Sequence, residues 1–172
     1  MIRILMVCMG NICRSPMASS ALQGLLEQRQ QGHRFEVDSA GTYAGHQGEP
    51  ADPRAIAVAS GRGYGAIHNE RARRVVPDDF ERFDLILAMD RDNLMHLEHQ
   101  CPRHFRHKLH LYLVYAGVTG TTEVPDPYYG KADGFEAVMR LCEPGALGLM
   151  ARIDAEPGGD GSVGPAASQD PS

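Results

Sequence analysis

Cys8 and Arg14 are separated by five residues in the run Cys8-Met-Gly-Asn-Ile-Cys-Arg-Ser-Pro16. A thiolate lying beneath a bound phosphate is a nucleophile aimed in line at phosphorus. An arginine beside it presents a planar fork that grips two phosphate oxygens. This spacing lets one loop wrap the anion. Met9, Gly10, Asn11, Ile12 and Cys13 supply its backbone, and Gly10 is expected to take angles closed to other residues. Asn11 is expected to hold the loop's shape through side-chain hydrogen bonds. Ser15 can hydrogen-bond the sulfur when it leaves. A lone Cys8 reads as a core thiol, and a bare Cys-x5-Arg arises by chance. The full string, in its local context, is far more specific.

That context is a strand, a loop and a helix. Ile2 to Val7 is a short β-rich apolar run. After Pro16, apolar residues at 17, 18, 21, 22, 25 and 26 form the stripe of an amphipathic helix. Ser15 suits its N-cap and Pro16 its first position. A Gly-containing loop feeding a helix N-terminus points amides and a positive dipole end at one concavity. Such a place binds anions and favours thiolate over thiol.

Further along, Arg34 to Asp38 reads as a second strand and Ser39 to Asp52 as a long loop. Pro53 to Ser60 reads as a helix ending at Gly61, and Pro77 to Phe80 as a helical turn. Phe83 to Met89 is an apolar run typical of a strand buried on both faces. Asp90 to Glu98 starts a helix behind acidic caps, and Lys108 to Tyr112 is a fourth strand. Val124 to Gly130 is a loop. Asp133 caps a helix from Gly134 to about Cys142, where Glu143-Pro-Gly145 predicts a kink or break. Alternating strands and helices predict an α/β three-layer fold with a parallel sheet covered on both faces. The expected domain spans 1–153. The Gly-, Pro- and Ser-rich remainder, 154–172, is expected to be disordered.

The 172 residues suffice for one domain with a real core. Hydrophobic residues make up 42% and charged residues 23%, as in a soluble globular protein. A net charge of -5 offers no global basic field for nucleic acid or anionic membrane. No run reaches the roughly 20 apolar residues needed to span a bilayer. Nor does the N-terminus have the form of a signal peptide. The reading is of a cytoplasmic chain whose four cysteines, 8, 13, 101 and 142, are reduced.

The run Cys8 to Pro16 resembles the signature of the low-molecular-weight protein tyrosine phosphatases. Asp126-Pro-Tyr128 resembles that family's second signature, near the C-terminus. Asp38 to Thr42 and Phe83 to Asp90 resemble further family stretches, and the likeness covers roughly residues 1 to 152. It implies a four-stranded parallel sheet, a Rossmann-like or flavodoxin-like arrangement, and a two-step reaction with no cofactor and no metal. Cys8 attacks phosphorus while Arg14 and the loop amides hold the oxygens. Asp126 protonates the leaving tyrosine oxygen and then activates water. The resemblance also implies a brace from Ser39 to Asn11, and a reversible disulfide between Cys13 and Cys8. Tyr128 and Tyr129 become walls of a phosphotyrosine slot, with Tyr43 on the opposite rim.

Several positions depart from the pattern. Bacterial members often carry an aromatic near the position of Gly45. Relatives acting on phosphoarginine tend to have Thr where this chain has Ile12, which favours phosphotyrosine. Glu70 stands where some relatives have a loop-bracing His, and His68 reads as a surface residue. The histidines at 96, 99, 104, 107 and 110 make a metal site conceivable but lack compact ligand spacing. Arg71 to Arg74 reads as a solvated face.

The expected partners are phosphotyrosine proteins, an autophosphorylating tyrosine kinase among them, with no nucleic acid or membrane. The expected state is a monomer or weak dimer. Two alternatives stand beside the phosphatase reading. One is arsenate reduction on the same fold, which needs two further cysteines close together. The other is a catalytically weak phosphotyrosine-binding or redox-sensing module.

Overall fold

A computed structural model describes residues 1–131 and 133–156 of the chain. Its centre is a four-stranded, wholly parallel sheet in the order β2-β1-β3-β4, with β1 Ile2–Cys8, β2 Phe35–Gly41, β3 Leu85–Ala88 and β4 Leu109–Leu111. Side chains alternate across a strand, so β1 feeds two cores. Ile2, Ile4, Met6 and Cys8 enter one core, and Leu5 and Val7 the other.

The first core is closed by α1 (Arg14–Gln28), α2 (Pro53–Gly61), the short α5 (Tyr112–Tyr115) and α6 (Asp133–Ala155). The second is closed by α3 (Pro77–Arg82) and α4 (Arg91–Gln100). Residues 17, 18, 21, 22 and 26 of the predicted stripe are buried against the sheet. Among the described residues no helix is long and apolar enough to cross a membrane.

Three expectations need correction. β2 runs on to Gly41, so the long loop begins at Thr42. Its last residues, Ser39-Ala-Gly41, look like loop composition but are buried and pair with β1. A Cβ on Gly41 would lie 2.5 Å from the Met9 carbonyl, so this strand end must stay bare for the anion loop to rest on it. β4 stops at Leu111, because Tyr112 opens α5.

The third concerns α6, which is continuous through Pro144. Packing outweighs the local cost. Gly145 lies against the Tyr112 ring, where a Cβ would come within 2.6 Å, and Gly148 against the Ala116 carbonyl. The Tyr112 hydroxyl donates to the Cys142 carbonyl at 2.9 Å. Glu143 is tied to α2 and beyond by Arg62 at 2.6 Å and by the Tyr64 hydroxyl. The helix therefore extends past the expected boundary at 153, and residues 157–172 of the expected tail lie outside the described residues.

Candidate active site

α1 begins inside the anion loop. Its cap is Cys13, with no side-chain hydrogen bond to the helix amides. Ser15, expected as the cap, sits instead in the first turn, fully buried, with Oγ 3.0 Å from Cys8 Sγ. A cap folded over the first amides would fill the space an anion needs. The carbonyls of Cys8, Met9 and Ile12 accept the N–H groups of Thr42, Tyr43 and Asp52 at 2.8–3.0 Å. Carbonyls engaged outside a loop in this way let its amides serve an anion within it.

The left-handed backbone angle falls on Asn11, at φ 58°, and not on Gly10. Gly10 is needed for closeness instead, since a Cβ there would lie 3.1 Å from the His46 ring. The Asn11 amide is fully engaged. Nδ2 donates to Ser15 Oγ and to Ser39 Oγ, both at 2.8 Å, and Oδ1 accepts the Arg73 N–H at 2.9 Å. Ser39 in turn donates to Glu70 at 2.5 Å. So Glu70 stands behind the brace, while His68 is not part of it. Arg73 is no solvated charge either, because it bridges Asp38 and Asp79 at 3.0 Å each.

Arg14 is 3% exposed, and a second carboxylate aims it. Nη1 donates to Asp90 Oδ2 at 2.6 Å and to the Val124 carbonyl at 3.1 Å. Asp90 uses its other oxygen to cap α4 through the Asn93 N–H. Burial works against the Arg14 charge, but Cys8, the Asp90 hydrogen bond and Asp126 together hold its pKa above the ordinary value. Asp126 Oδ2 lies 3.6 Å from Arg14 Nη2, and its Oδ1 accepts the Tyr128 N–H at 3.1 Å.

Cys8, Arg14 and Asp126 open into one cleft of about 270 Å³, together with Met9, Gly10, Ile12, Cys13, Tyr43, His46, Tyr128 and Tyr129. The Tyr128 and Tyr129 rings meet edge to face at 4.8 Å. Arg54, anchored on Asp52, donates to the Tyr128 carbonyl at 3.1 Å and holds that wall. Tyr43 folds across Gly45, its ring within 2.1 Å of where a Cβ there would be. The rim aromatic absent at 45 is thus supplied from two residues earlier.

Sequence reasoning did not single out His46, Arg54 or Asp90 for the site. Only Asp90 had a local signal, its cap position. Cys13 lines the cleft, and burial, aided by Asp52, Cys8 and Asp126, pushes its thiol well up. Cys101 and Cys142 lie in different cores on opposite faces of the sheet. Burial pushes Cys142 up to about 12. The cysteine pair a relay would need is therefore not assembled. Among the described residues no three His, Cys, Asp or Glu side chains gather as a metal set. His104 packs on Phe105, and His110 on Tyr115.

Residues 3–158 match the model of the low molecular weight phosphotyrosine protein phosphatase family. The chain belongs to this family. A low molecular weight protein-tyrosine-phosphatase of Streptomyces coelicolor is 42% identical over 154 residues, covering 88% of this chain and 93% of the relative. A crystal structure of a protein tyrosine phosphatase from Entamoeba histolytica, with Hepes in its active site, superposes with a TM-score of 0.85 at 37% identity. That match covers 90% of this chain and 97% of the other. A Drosophila arginine phosphatase superposes with a TM-score of 0.80 at 28% identity, covering 91% and 100%. The parallel three-layer fold is thus that of known low molecular weight phosphatases.

Proposed function

We propose that this family member is a cytoplasmic hydrolase of phosphotyrosine, working through a phosphocysteine. One observation carries the reading: a thiol, a buried guanidinium and a carboxyl, Cys8, Arg14 and Asp126, open into a single cleft with aromatic walls. The phosphate sits in the loop, its oxygens held by Arg14 and the inward amides. Cys8 sulfur forms the S–P bond as the P–O bond to the phenol breaks, and Asp126 gives the departing oxygen its proton. Ser15 donates to sulfur and steadies it as thiolate. Asp126, now a carboxylate, takes a proton from water as that water attacks phosphorus. Phosphate leaves and Cys8 returns.

Depth selects the aryl ester. The sulfur is buried while Tyr129 at the rim is 90% exposed, so a long flat substrate reaches bottom where a serine phosphate does not. The likeness to an arginine phosphatase raises phosphoarginine as a second substrate, but Ile12, which lines the cleft, has an apolar side chain with no hydrogen bond to offer a guanidinium. Tyrosine-phosphorylated proteins, an autophosphorylating kinase among them, are the proposed partners. Cys13 is the proposed partner for a reversible disulfide after peroxide converts Cys8 to its sulfenic acid. Its raised pKa makes that closure slow at neutral pH. The test is release of p-nitrophenol from p-nitrophenyl phosphate at mildly acidic pH by wild type and Cys8→Ser. Turnover in the first and none in the second is expected, and full activity of Cys8→Ser would sink the reading.

A further inference from the structure

Glu70 is a carboxylate behind the anion loop that the reaction above does not use. It lies after a short 3-10 turn, Gly65–Asn69, and faces β2 and α1. Ser39 Oγ donates to its Oε1 at 2.5 Å. Gln23 Nε2 at 3.5 Å and Ser19 Oγ at 3.4 Å approach its Oε2. Asp38 is the charged neighbour on β2, and Arg73 holds that group. Arg71 folds back onto the Glu70 and His68 carbonyls. Burial, with Asp38, raises the Glu70 carboxyl above its ordinary pKa, against the pull of the Ser39, Gln23 and Ser19 hydrogen bonds.

The hydrogen-bond chain from Glu70 to Cys8 has a limited number of protons to place. The Asn11 NH2 has two hydrogens, one for Ser39 Oγ and one for Ser15 Oγ. Each serine accepts one and has a single proton of its own left to place. Ser39 places its proton on Glu70. Ser15 has the Cys8 sulfur at 3.0 Å and only the more distant Ala40 carbonyl, at 3.4 Å, as a rival. The competing order flips the Asn11 amide. Its oxygen would then accept from both serines, and Ser15 would spend its proton on Asn11 instead of on sulfur. That order takes the Ser39 proton away from Glu70 and sets two N–H donors, Asn11 Nδ2 and the Arg73 amide, against each other.

We infer that Glu70 is a positioning residue: by accepting the Ser39 proton it fixes the direction of the Ser39–Asn11–Ser15 chain and so commits the Ser15 hydroxyl to Cys8. What counts is an acceptor at Oε1. A neutral carboxyl or an amide oxygen serves as well as a carboxylate, so the ordering survives protonation of Glu70. This rests on the reading of Cys8 as nucleophile.

The test compares Glu70→Gln, which keeps an acceptor, with Glu70→Met, which has nearly the same shape and none of comparable strength. Glu70→Ala is the second non-acceptor should methionine not be accommodated. The measurements are kcat and KM on p-nitrophenyl phosphate, melting temperature, and the rate of Cys8 alkylation by iodoacetamide at pH 6, which needs no turnover. Glu70→Gln is expected within about threefold of wild type in kcat. Glu70→Met is expected to lose about tenfold in kcat with KM little changed, and to alkylate about fivefold more slowly, the scale of one hydrogen bond to a charged group. In a Ser39→Ala background the same change should add little, because the proton to be ordered is gone.

Wild-type alkylation and kcat in Glu70→Met would overturn the inference. So would a Glu70→Gln as impaired as Glu70→Met, which would mean that charge and not acceptance matters. Fully additive losses in the double variant would do the same. An active Cys8→Ser would instead overturn the function proposed above, so the two failures are distinguishable.

Discussion

The floor and the rim of the cleft are built on opposite principles. At the floor, Asn11, Arg14, Ser15 and Ser39 are all nearly inaccessible, and each has named hydrogen-bond partners within 3.1 Å. At the rim, Tyr43 is 57% and Tyr129 90% exposed, and the contacts are ring against ring. Buried polar groups are costly unless satisfied, so the floor has one arrangement and little tolerance. Exposed aromatic walls contribute area without a unique geometry. On the proposed function, chemistry therefore belongs to the floor and choice of substrate to the rim. Changes to the floor should move kcat, and changes to the rim should move KM.

The sharpest challenge to that division is Arg14→Lys, which keeps the charge and loses the fork. On the floor it is expected to cost about 10³ in kcat/KM for p-nitrophenyl phosphate, since one ammonium cannot hold both Asp90 and phosphate oxygens. Asp126→Asn follows, with about a hundredfold loss of kcat expected at steady state, because it removes the proposed proton donor and later base. That residue is 38% exposed, so no loss of melting temperature should accompany it. If Asp126→Asn instead raised KM alone, Asp126 would belong with the rim.

Asn11→Ala is expected to lower kcat about tenfold and, unlike Asp126→Asn, to destabilise the fold. It strands the Arg73 N–H and two buried hydroxyls and puts alanine at a left-handed angle, together about 3 kcal/mol in urea unfolding. Tyr129→Ala should be the mildest, raising KM for a phosphotyrosine peptide about threefold with kcat unchanged. A tenfold fall in kcat there would break the comparison.

A pH scan separates floor chemistry from core stability. Cys142 is raised from 9.0 to about 12 and Tyr64 from 10.0 to about 12, in each case first by burial. The unfolded chain loses these protons near pH 9 to 10, and the folded chain only near 12. Stability from these groups is therefore full below about pH 9 and falls between pH 9 and 12, a loss visible in melting temperature. Cys142→Ala should flatten that fall.

The floor was largely legible in the sequence because it is local. One nine-residue string holds the proposed nucleophile, the arginine and the loop, and the strand and helix that aim them are its neighbours. All four strands were legible in the sequence, and the family resemblance implied that they form one parallel sheet, while their order β2-β1-β3-β4 came only with the structure. What escaped notice was set by contacts between distant segments. Glu70 reads as a departure from a loop-bracing His, and its own part in the brace shows only once β2 and α1 enclose it. Asp90 reads as a cap, and nothing in the chain tells that its second oxygen meets Arg14, 76 positions away. Continuous α6 contradicts the local meaning of Pro144-Gly145, because the bare glycine face is what α5 packs on.

The two-sided use of Asp90 joins catalysis to local breathing of the molecule. The first turn of α4 and Arg14, the proposed grip on phosphate, share one carboxylate. Whenever that turn frays, Arg14 loses its 2.6 Å anchor while the sheet and α1 stay intact. On warming, activity is therefore expected to decline ahead of the cooperative melt, and added phosphate, by holding Arg14 from the other side, is expected to narrow the gap between the two temperatures.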